Sequence, residues 1–194
     1  MGLGQTGDDE LEWVDLTMEP TLAPLPRGAG AFAEAMQAWA AQHLSWSEGA
    51  GRRVLLVDLD NIRADTETLS GRLALLAVLA AGADHVVLAG QDAAVARSRP
   101  WLGEMGAKAH AVPAGRNEAD HLLLDEAAAL VAGRRAQFVV ASNDGIFARL
   151  ASLGPLTLLS PRLDDLSGRL LEVADVVIDL AGLEQTVRRQ AMSG

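Results

Sequence analysis

The pattern of apolar positions changes near residue 51, after which short continuous apolar runs alternate with longer stretches of helical spacing. The runs predict strands at 54–57, 85–89, 109–112, 137–141 and 156–159, and a possible sixth at 176–178. The stretches between them predict helices at 68–81, at 94–105 with an interruption at Pro100, at 117–131, at 146–153, around 163–171 and after the last strand. Apolar strands that alternate with helices indicate a parallel sheet covered on both faces. We therefore predict an α/β domain built on a doubly wound parallel sheet.

The first 50 residues follow a different pattern. Residues 1–29 are acidic and rich in Pro and Gly, which predicts a flexible arm or a docked linear segment. Residues 31–45 carry one apolar face at helical spacing, which favours a helix packed on the main domain; a homodimer or protein-partner helix is the alternative. The predicted organisation is an arm at 1–29, an amphipathic helix and linker at 30–50, and the α/β domain at 51–194.

Composition excludes several classes of protein. The chain has 194 residues, 49% of them hydrophobic, and this is enough to bury the core of one domain. It has no cysteine, which excludes disulfide scaffolds and thiolate zinc sites. The longest apolar run, at 73–83, is too short for a membrane span, and the acidic first twenty residues do not form a signal peptide. We expect a cytoplasmic protein without a membrane partner.

The formal net charge of -10 is unevenly distributed. Residues 1–50 hold eight of the 26 acidic residues and one of the 16 basic residues, Arg27. The remainder of the chain is close to neutral, and all but one of its basic residues are arginine, which binds phosphate with a planar fork. A phosphate-rich partner is therefore compatible with the predicted domain.

Three acidic residues fall where ligands bind to such a sheet, beyond the carboxyl ends of the strands. Asp58 directly follows one apolar run, Asp144 closely follows another, and Asp120 lies in the first turn of a predicted helix on its apolar stripe. Each could instead cap a helix or form a turn. Because buried carboxylates need a partner and no lysine is nearby, three converging acids favour a hard divalent cation, Mg²⁺ or Mn²⁺.

The residues around these acids form an ordered set of motifs. The segments are V-L-L-V-D-L-D-N-I from residue 54, G-R-N-E-A-D-H-L-L-L-D-E-A from residue 115 and F-V-V-A-S-N-D-G-I-F-A-R-L from residue 138. Over residues 54–150 the chain thus resembles the NYN and related PIN-like nuclease domains. The resemblance implies a sheet of strand order 3-2-1-4-5. It also implies metal-dependent hydrolysis of RNA phosphodiester bonds at Asp58, Asp120 and Asp144.

Five other polar residues of these motifs are candidates for supporting roles: Asp60, Asn61, Asn117, Ser142 and Asn143. Asn61 and Asn117 are candidates to orient the carboxylates or hold a water, and Ser142 is a candidate to bond the loop or a phosphate. Asp60 is a candidate to replace a missing acid of the site or simply to turn the chain. Helix capping is the alternative for Asn117, and a local backbone hydrogen bond is the alternative for Ser142. Arg63, Arg97 and Arg116 are candidates to hold substrate phosphates, with an ordinary solvated surface role as the alternative for each.

The third motif departs from the family pattern at one position. Many relatives carry a second acid where this chain has Ile146. This departure keeps open the alternative of a catalytically weak fold that binds RNA or a protein partner. A further alternative, from another class, is a small-molecule phosphatase or a nucleotide-binding regulator on a similar sheet, which the fold alone does not exclude.

Overall fold

The structure is a computed structural model, and it describes residues 24–47, 51–115 and 117–191. Most of the predicted acidic arm, residues 1–23, lies outside these ranges, as does the predicted phosphate ligand Arg116. Among the helices within these ranges, none is both long enough and apolar enough to cross a membrane.

A single parallel sheet forms the centre of the fold. Its strands are β1 Arg52–Asp58, β2 His85–Gln91, β3 Lys108–Val112, β4 Ala136–Ala141, β5 Leu156–Ser160 and β6 Val176–Asp179. They lie in the order β3-β2-β1-β4-β5-β6, and each pairs in parallel with its neighbours. The prediction of a doubly wound parallel sheet is confirmed, as is the sixth strand. The strand order reverses between β1 and β4, which are direct neighbours.

Six α-helices surround the sheet in the described part of the chain. They are α1 Ala31–His43, α2 Thr66–Gly82, α3 Asp92–Leu102, α4 Glu118–Val131, α5 Gly168–Val173 and α6 Leu180–Ala191. Two segments, Gly145–Ser152 and Leu163–Asp165, form 3₁₀-helices.

Two predicted helices differ in the structure. The interruption predicted at Pro100 is wrong, because α3 continues through it to Leu102. The proline removes one helical hydrogen bond, but the next residue, Trp101, is buried in the core and anchors the last turn. The single helix predicted around 163–171 is also wrong. There the Ser167 N–H donates to the Asn143 carbonyl (3.2 Å), and the chain divides into the short 3₁₀ segment and α5.

The two faces of the sheet have separate cores because successive side chains of a strand point to opposite sides. Along β1, Leu55 and Val57 belong to the core beneath α1, α2, α3 and α6. Val54 and Leu56 belong to the core beneath α4, α5 and the longer 3₁₀ segment. Because helices cover both faces of the sheet, the side chains on both sides of β1 and β4 are buried. The sequences of these strands are therefore continuous apolar runs.

The helix predicted within 31–45 packs on the main domain, as its apolar stripe indicates. Phe32 and Met36 of α1 are buried against α2, where Gly71 leaves room for them. After α1, the Trp46 indole N–H donates to the Leu79 carbonyl (2.9 Å). The apolar face of α1 is therefore part of the core.

The contact between α1 and α2 predicts the effect of a methyl group at Gly71. A Cβ built there lies 2.5 Å from Phe32 Cε1. We expect Gly71→Ala to lower the free energy of unfolding by about 1–2 kcal/mol, even though alanine favours helix formation. Urea unfolding measures this change. Gly103→Ala is the control, because a Cβ there meets nothing within 4 Å; equal stability of the two variants would contradict the packing of α1.

Candidate functional site

The carboxylates predicted from the sequence converge at the carboxyl edge of the sheet, where β1 adjoins β4. Asp58 is the last residue of β1, and Asp144 follows the end of β4 by three positions. Asp120 lies in the first turn of α4, whose amino terminus faces the same edge. The strand order brings the first two acids together, and the packing of α4 against β1 and β2 adds the third.

Asp58 is held by a set of short-range donors. Its Oδ1 accepts the backbone N–H groups of Asp60 (3.0 Å) and Asn61 (3.2 Å), and its Oδ2 accepts the hydroxyl of Ser142 (3.3 Å). Its side chain is 5% exposed, and burial raises its pKa, an effect that these hydrogen bonds partly offset. The loop after β1 therefore fixes this carboxylate in one orientation.

Asp120 has the least compensated carboxylate of the site. It is 7% exposed, and its Oδ1 is buried without a hydrogen-bond partner. Burial raises its pKa to about 7, with further contributions from the negative charges of Asp58 and Asp144 and from a side-chain hydrogen bond with Asp58. No ion pair in the described residues includes any of these three acids. The cluster therefore concentrates negative charge that the described residues do not neutralise.

Asp60 lies beside this cluster but has its own partners. Its Oδ2 accepts the backbone N–H of Gln91 (2.8 Å), which ties the loop to the end of β2. Its Oδ1 forms an ion pair with Arg63. Of the predicted phosphate ligands, Arg63 therefore lies next to the acids. Its guanidinium pairs with Asp60, and its side chain is about half exposed.

Asp144 combines a capping role with its place at the cluster. Its Oδ1 accepts the backbone N–H of Ile146 (2.9 Å) and so caps the 3₁₀ segment, as the alternative interpretation predicts. Its own N–H donates to the Ser142 hydroxyl (3.2 Å). Because that hydroxyl also donates to Asp58, Ser142 connects two of the three predicted ligands. The side chain of Ile146 packs against the core beneath α4.

Asn143 and Asn61 connect the loops that carry the acids. The Asn143 N–H donates to Asn61 Oδ1 (3.3 Å), and its side chain donates to the Arg162 carbonyl (2.8 Å) and accepts the Ser160 hydroxyl (2.7 Å). Sequence reasoning missed Ser160 and Arg162. Ser160 ends β5, so the rule that points to strand ends applies to it as well.

Asn117 precedes α4 in an unusual conformation. Its φ of 63° and ψ of 16° place it in the left-handed region, and its side chain makes no capping hydrogen bond to the helix. The capping alternative is therefore wrong for its side chain. Asparagine tolerates this conformation better than most residues, and such outliers occur often at functional sites. The turn at Asn117 directs the start of α4, and with it Asp120, toward the sheet.

A cavity of ≈ 110 Å³ lies between these elements. Its lining includes Asp58, Asp60 and Asp120, with Asn117 and Glu118 at the start of α4. Arg97, which the sequence predicts to bind a substrate phosphate, does not line this cavity. It lines a separate cavity between α2 and α3 instead. The site thus presents oxygen donors, the ligands that hard divalent cations prefer.

The donor set fits Mg²⁺ or Mn²⁺ in its chemistry. Oxygen donors are present, and the unpaired Asp120 Oδ1 lacks the cation or hydrogen-bond donor that a buried carboxylate requires. In the described ranges, no three His, Asp or Glu side chains form a group that could hold an ion as they stand. This is compatible with Mg²⁺, which keeps several waters and uses only one or two carboxylates.

Comparisons with known proteins support the fold alone. No family model matches the chain, and no curated protein matches it. Among solved structures, it is similar to VPA0982, a protein of unknown function from Vibrio parahaemolyticus. The match has a TM-score of 0.50 and 15% sequence identity, and it covers 70% of this chain and 96% of the other. The similarity shows that the two chains share an α/β fold.

The raised pKa of Asp120 predicts how stability varies with pH. Its pKa is about 7 in the folded protein against an ordinary value of 3.8, so the folded state binds more protons between these values and stability falls as pH rises from about 4 to 7. Asp120→Asn removes this penalty. We expect the variant to be more stable than wild type at pH 8 by about 1–2 kcal/mol, and by much less at pH 4.

Chemical denaturation at the two pH values, with chelator present, measures this difference. Asp125→Asn is the matched control, because Asp125 is exposed on the same helix and lies away from the acid cavity. The same pH dependence in both variants would show that Asp120 does not carry the buried charge.

Proposed function

We propose that this protein is a divalent-metal-dependent ribonuclease related to the NYN and PIN-like domains. Asp58, Asp120 and Asp144 would hold Mg²⁺ or Mn²⁺, directly or through water. Two lines of support combine: the three motifs occur in the order typical of that family, and the fold gathers their acids at one edge of the sheet.

The buried Oδ1 of Asp120, which has no hydrogen-bond partner, is the observation that carries this proposal. An ionised carboxylate that is buried beside two others costs several kcal/mol unless a positive charge accompanies it. Among the described side chains, Arg63 forms an ion pair with Asp60, and the three acids of the cluster have no positively charged partner. A bound cation would neutralise the cluster and lower the pKa of Asp120, so binding and ionisation would reinforce each other.

The protein's own residues would organise the reaction. When bound, the cation would supply Lewis-acid stabilisation of charge on the scissile phosphate and would acidify a water. Ser142 and the amides of the loop after β1 fix Asp58, and Ser142 also contacts the backbone of Asp144, so two carboxylates keep one relative orientation. The amino terminus of α4 directs a positive dipole toward the same edge.

Ile146 bears on the catalytically weak alternative. At this position the chain offers a backbone donor to Asp144 and an apolar side chain that packs on the core. No carboxylate is supplied there, so the site has one acid fewer than many relatives. A protein that binds RNA without cleaving it is therefore the second candidate, and the cleavage assay below separates the two.

The size of the acid cavity disfavours the small-molecule alternative. Its ≈ 110 Å³ accommodates an ion with its waters or a phosphate group. Pockets that enclose a whole small molecule measure about 300–1,000 Å³. A substrate whose remaining parts extend over the surface, such as a nucleic acid strand, fits this dimension better.

The first test of this proposal measures metal binding without catalysis. At a free Mn²⁺ concentration of ten times its Kd, the wild type should gain about 1.4 kcal/mol of stability, or about 3–6 °C in Tm. Asp58→Asn and Asp144→Asn should lose most of this gain, whereas Asp125→Asn should keep it. Thermal unfolding with and without Mn²⁺ checks this, and equal shifts in all four proteins would refute the site.

The second test measures cleavage of labelled single-stranded RNA. We expect Mn²⁺-dependent cleavage that chelator abolishes and that Asp120→Asn lowers by at least about 100-fold, because the substitution removes one metal ligand. Asp125→Asn should cleave like the wild type. Gel electrophoresis of the products over time gives the rates.

Two results of the same assay would contradict the nuclease proposal. Cleavage that survives Asp120→Asn would come from another site or a contaminant. Retention of intact RNA by the wild type, with no cleavage at any Mn²⁺ concentration, would favour the RNA-binding alternative.

A further inference from the structure

A second cavity lies on the α1–α2–α3 side of the sheet and measures ≈ 330 Å³. Two arginines, Arg27 and Arg97, line it together with the start of α2. Leu69, Pro100 and Trp101 supply apolar surface. Its volume lies at the lower end of the range of about 300–1,000 Å³ for ligand pockets. We call this cavity the arginine groove.

Arg27 is held in place by a turn. The Ala29 N–H donates to the Pro26 carbonyl (3.1 Å), and Gly28 has a φ of 83°, the positive value that a type II turn requires at its third position. The Ser70 hydroxyl of α2 donates to the Ala29 carbonyl (3.0 Å), which fastens the turn to the helix. The backbone that carries Arg27 is therefore positioned over the groove before any ligand arrives.

The groove carries a net positive charge, because two arginines and one acid, Asp65, line it. Within the described residues neither Arg27 nor Arg97 takes part in an ion pair, and both residues are exposed. The carboxylate of Asp65 caps α2 through Thr68, and these hydrogen bonds lower its pKa, so it stays ionised and offsets part of the arginine charge. Two free guanidinium groups over an apolar floor form a surface that suits a phosphate joined to a less polar group.

The groove is connected to the acid cavity by a short segment of chain. Asp60 lines the acid cavity, and Ala64 and Asp65, four and five residues later, line the groove. Five residues span at most about 18 Å. Arg63, whose side chain is about half exposed and pairs with Asp60, lies between them in sequence. A nucleic acid strand bound at the carboxylates therefore has to cross only this short segment to reach the groove.

We propose that the arginine groove binds one nucleotide of the RNA strand, its phosphate between Arg27 and Arg97 and its sugar and base against the apolar floor. This inference rests on the proposed function for its choice of RNA as the ligand. It assigns a substrate-binding role to residues 26–29, which lie outside the three motifs. In this proposal, Arg97 binds a phosphate of the strand other than the scissile phosphate.

Binding of fluorescein-labelled single-stranded RNA, followed by anisotropy in chelator, tests the groove without cleavage. We expect the double variant Arg27→Gln/Arg97→Gln to bind about tenfold more weakly than wild type at low salt. The slope of log K against log salt should fall in magnitude by about 0.7, because the two arginines share one phosphate and one phosphate contact on a single strand contributes about 0.7.

A matched control removes the same charge elsewhere. Arg134 and Arg135 are exposed and precede β4, at the opposite edge of the sheet, so Arg134→Gln/Arg135→Gln should retain nearly wild-type affinity and slope. Equal weakening by the two double variants would show a general charge effect and overturn the proposal. Absence of RNA binding by the wild type would overturn it as well.

A third arm separates RNA from free nucleotide. Uridine monophosphate shares the phosphate chemistry, and it should compete at least about 100-fold more weakly than the oligonucleotide. Equal competition would identify a mononucleotide site and overturn the RNA path. If RNA binding depends on the two arginines but no RNA is cleaved, the groove stands and the nuclease proposal fails.

Discussion

The structure around the candidate site depends on one electrostatic constraint, the crowding of carboxylates at the carboxyl edge of a parallel sheet. Because β1 and β4 are adjacent and parallel, Asp58 at the end of β1 and Asp144 just beyond the end of β4 are forced into one neighbourhood. Asp120 enters from α4 and meets both negative charges in a buried setting. The fold therefore holds these acids together at a cost to its own stability, as is common at functional sites.

The surrounding loops donate hydrogen bonds that reduce this cost, but they do so to a different extent for each of the three acids. Asp58 receives two backbone amides and a hydroxyl, and Asp144 receives the amide of the helical segment that it caps. Asp120 receives nothing at Oδ1 and has the pKa raised to about 7. Hydrogen bonds therefore orient the carboxylates of Asp58 and Asp144, whereas Asp120 keeps a buried oxygen without a partner. This arrangement suits a cluster that completes its charge balance with a ligand.

The sequence predicts the parts of the site that follow from local periodicity. Continuous apolar runs locate β1 and β4, and the strand-end rule then selects Asp58 and Asp144. Contacts between distant segments leave no such signal. The hydrogen bond from Ser160 to Asn143 depends on β5 lying beside β4, and the position of Arg97 away from the acids depends on how α3 packs. The helix predicted around 163–171 fails for the same reason, since within it the Ser167 N–H donates to the carbonyl of Asn143, a residue distant in sequence that follows β4.

A buried ion pair connects the candidate site to a helix that lies outside the three motifs. Arg72 of α2 is 5% exposed and donates to Glu184 of α6 (2.5 Å) and to the carbonyl of Ile62 (3.2 Å) in the loop after β1. A buried pair of this kind is costly to break, because the remaining charge would be left without a partner. The C-terminal helix is thus joined through Arg72 to the loop that orients Asp58. The candidate site, built from residues within 54–150, is therefore connected to a helix that begins thirty residues beyond its last motif.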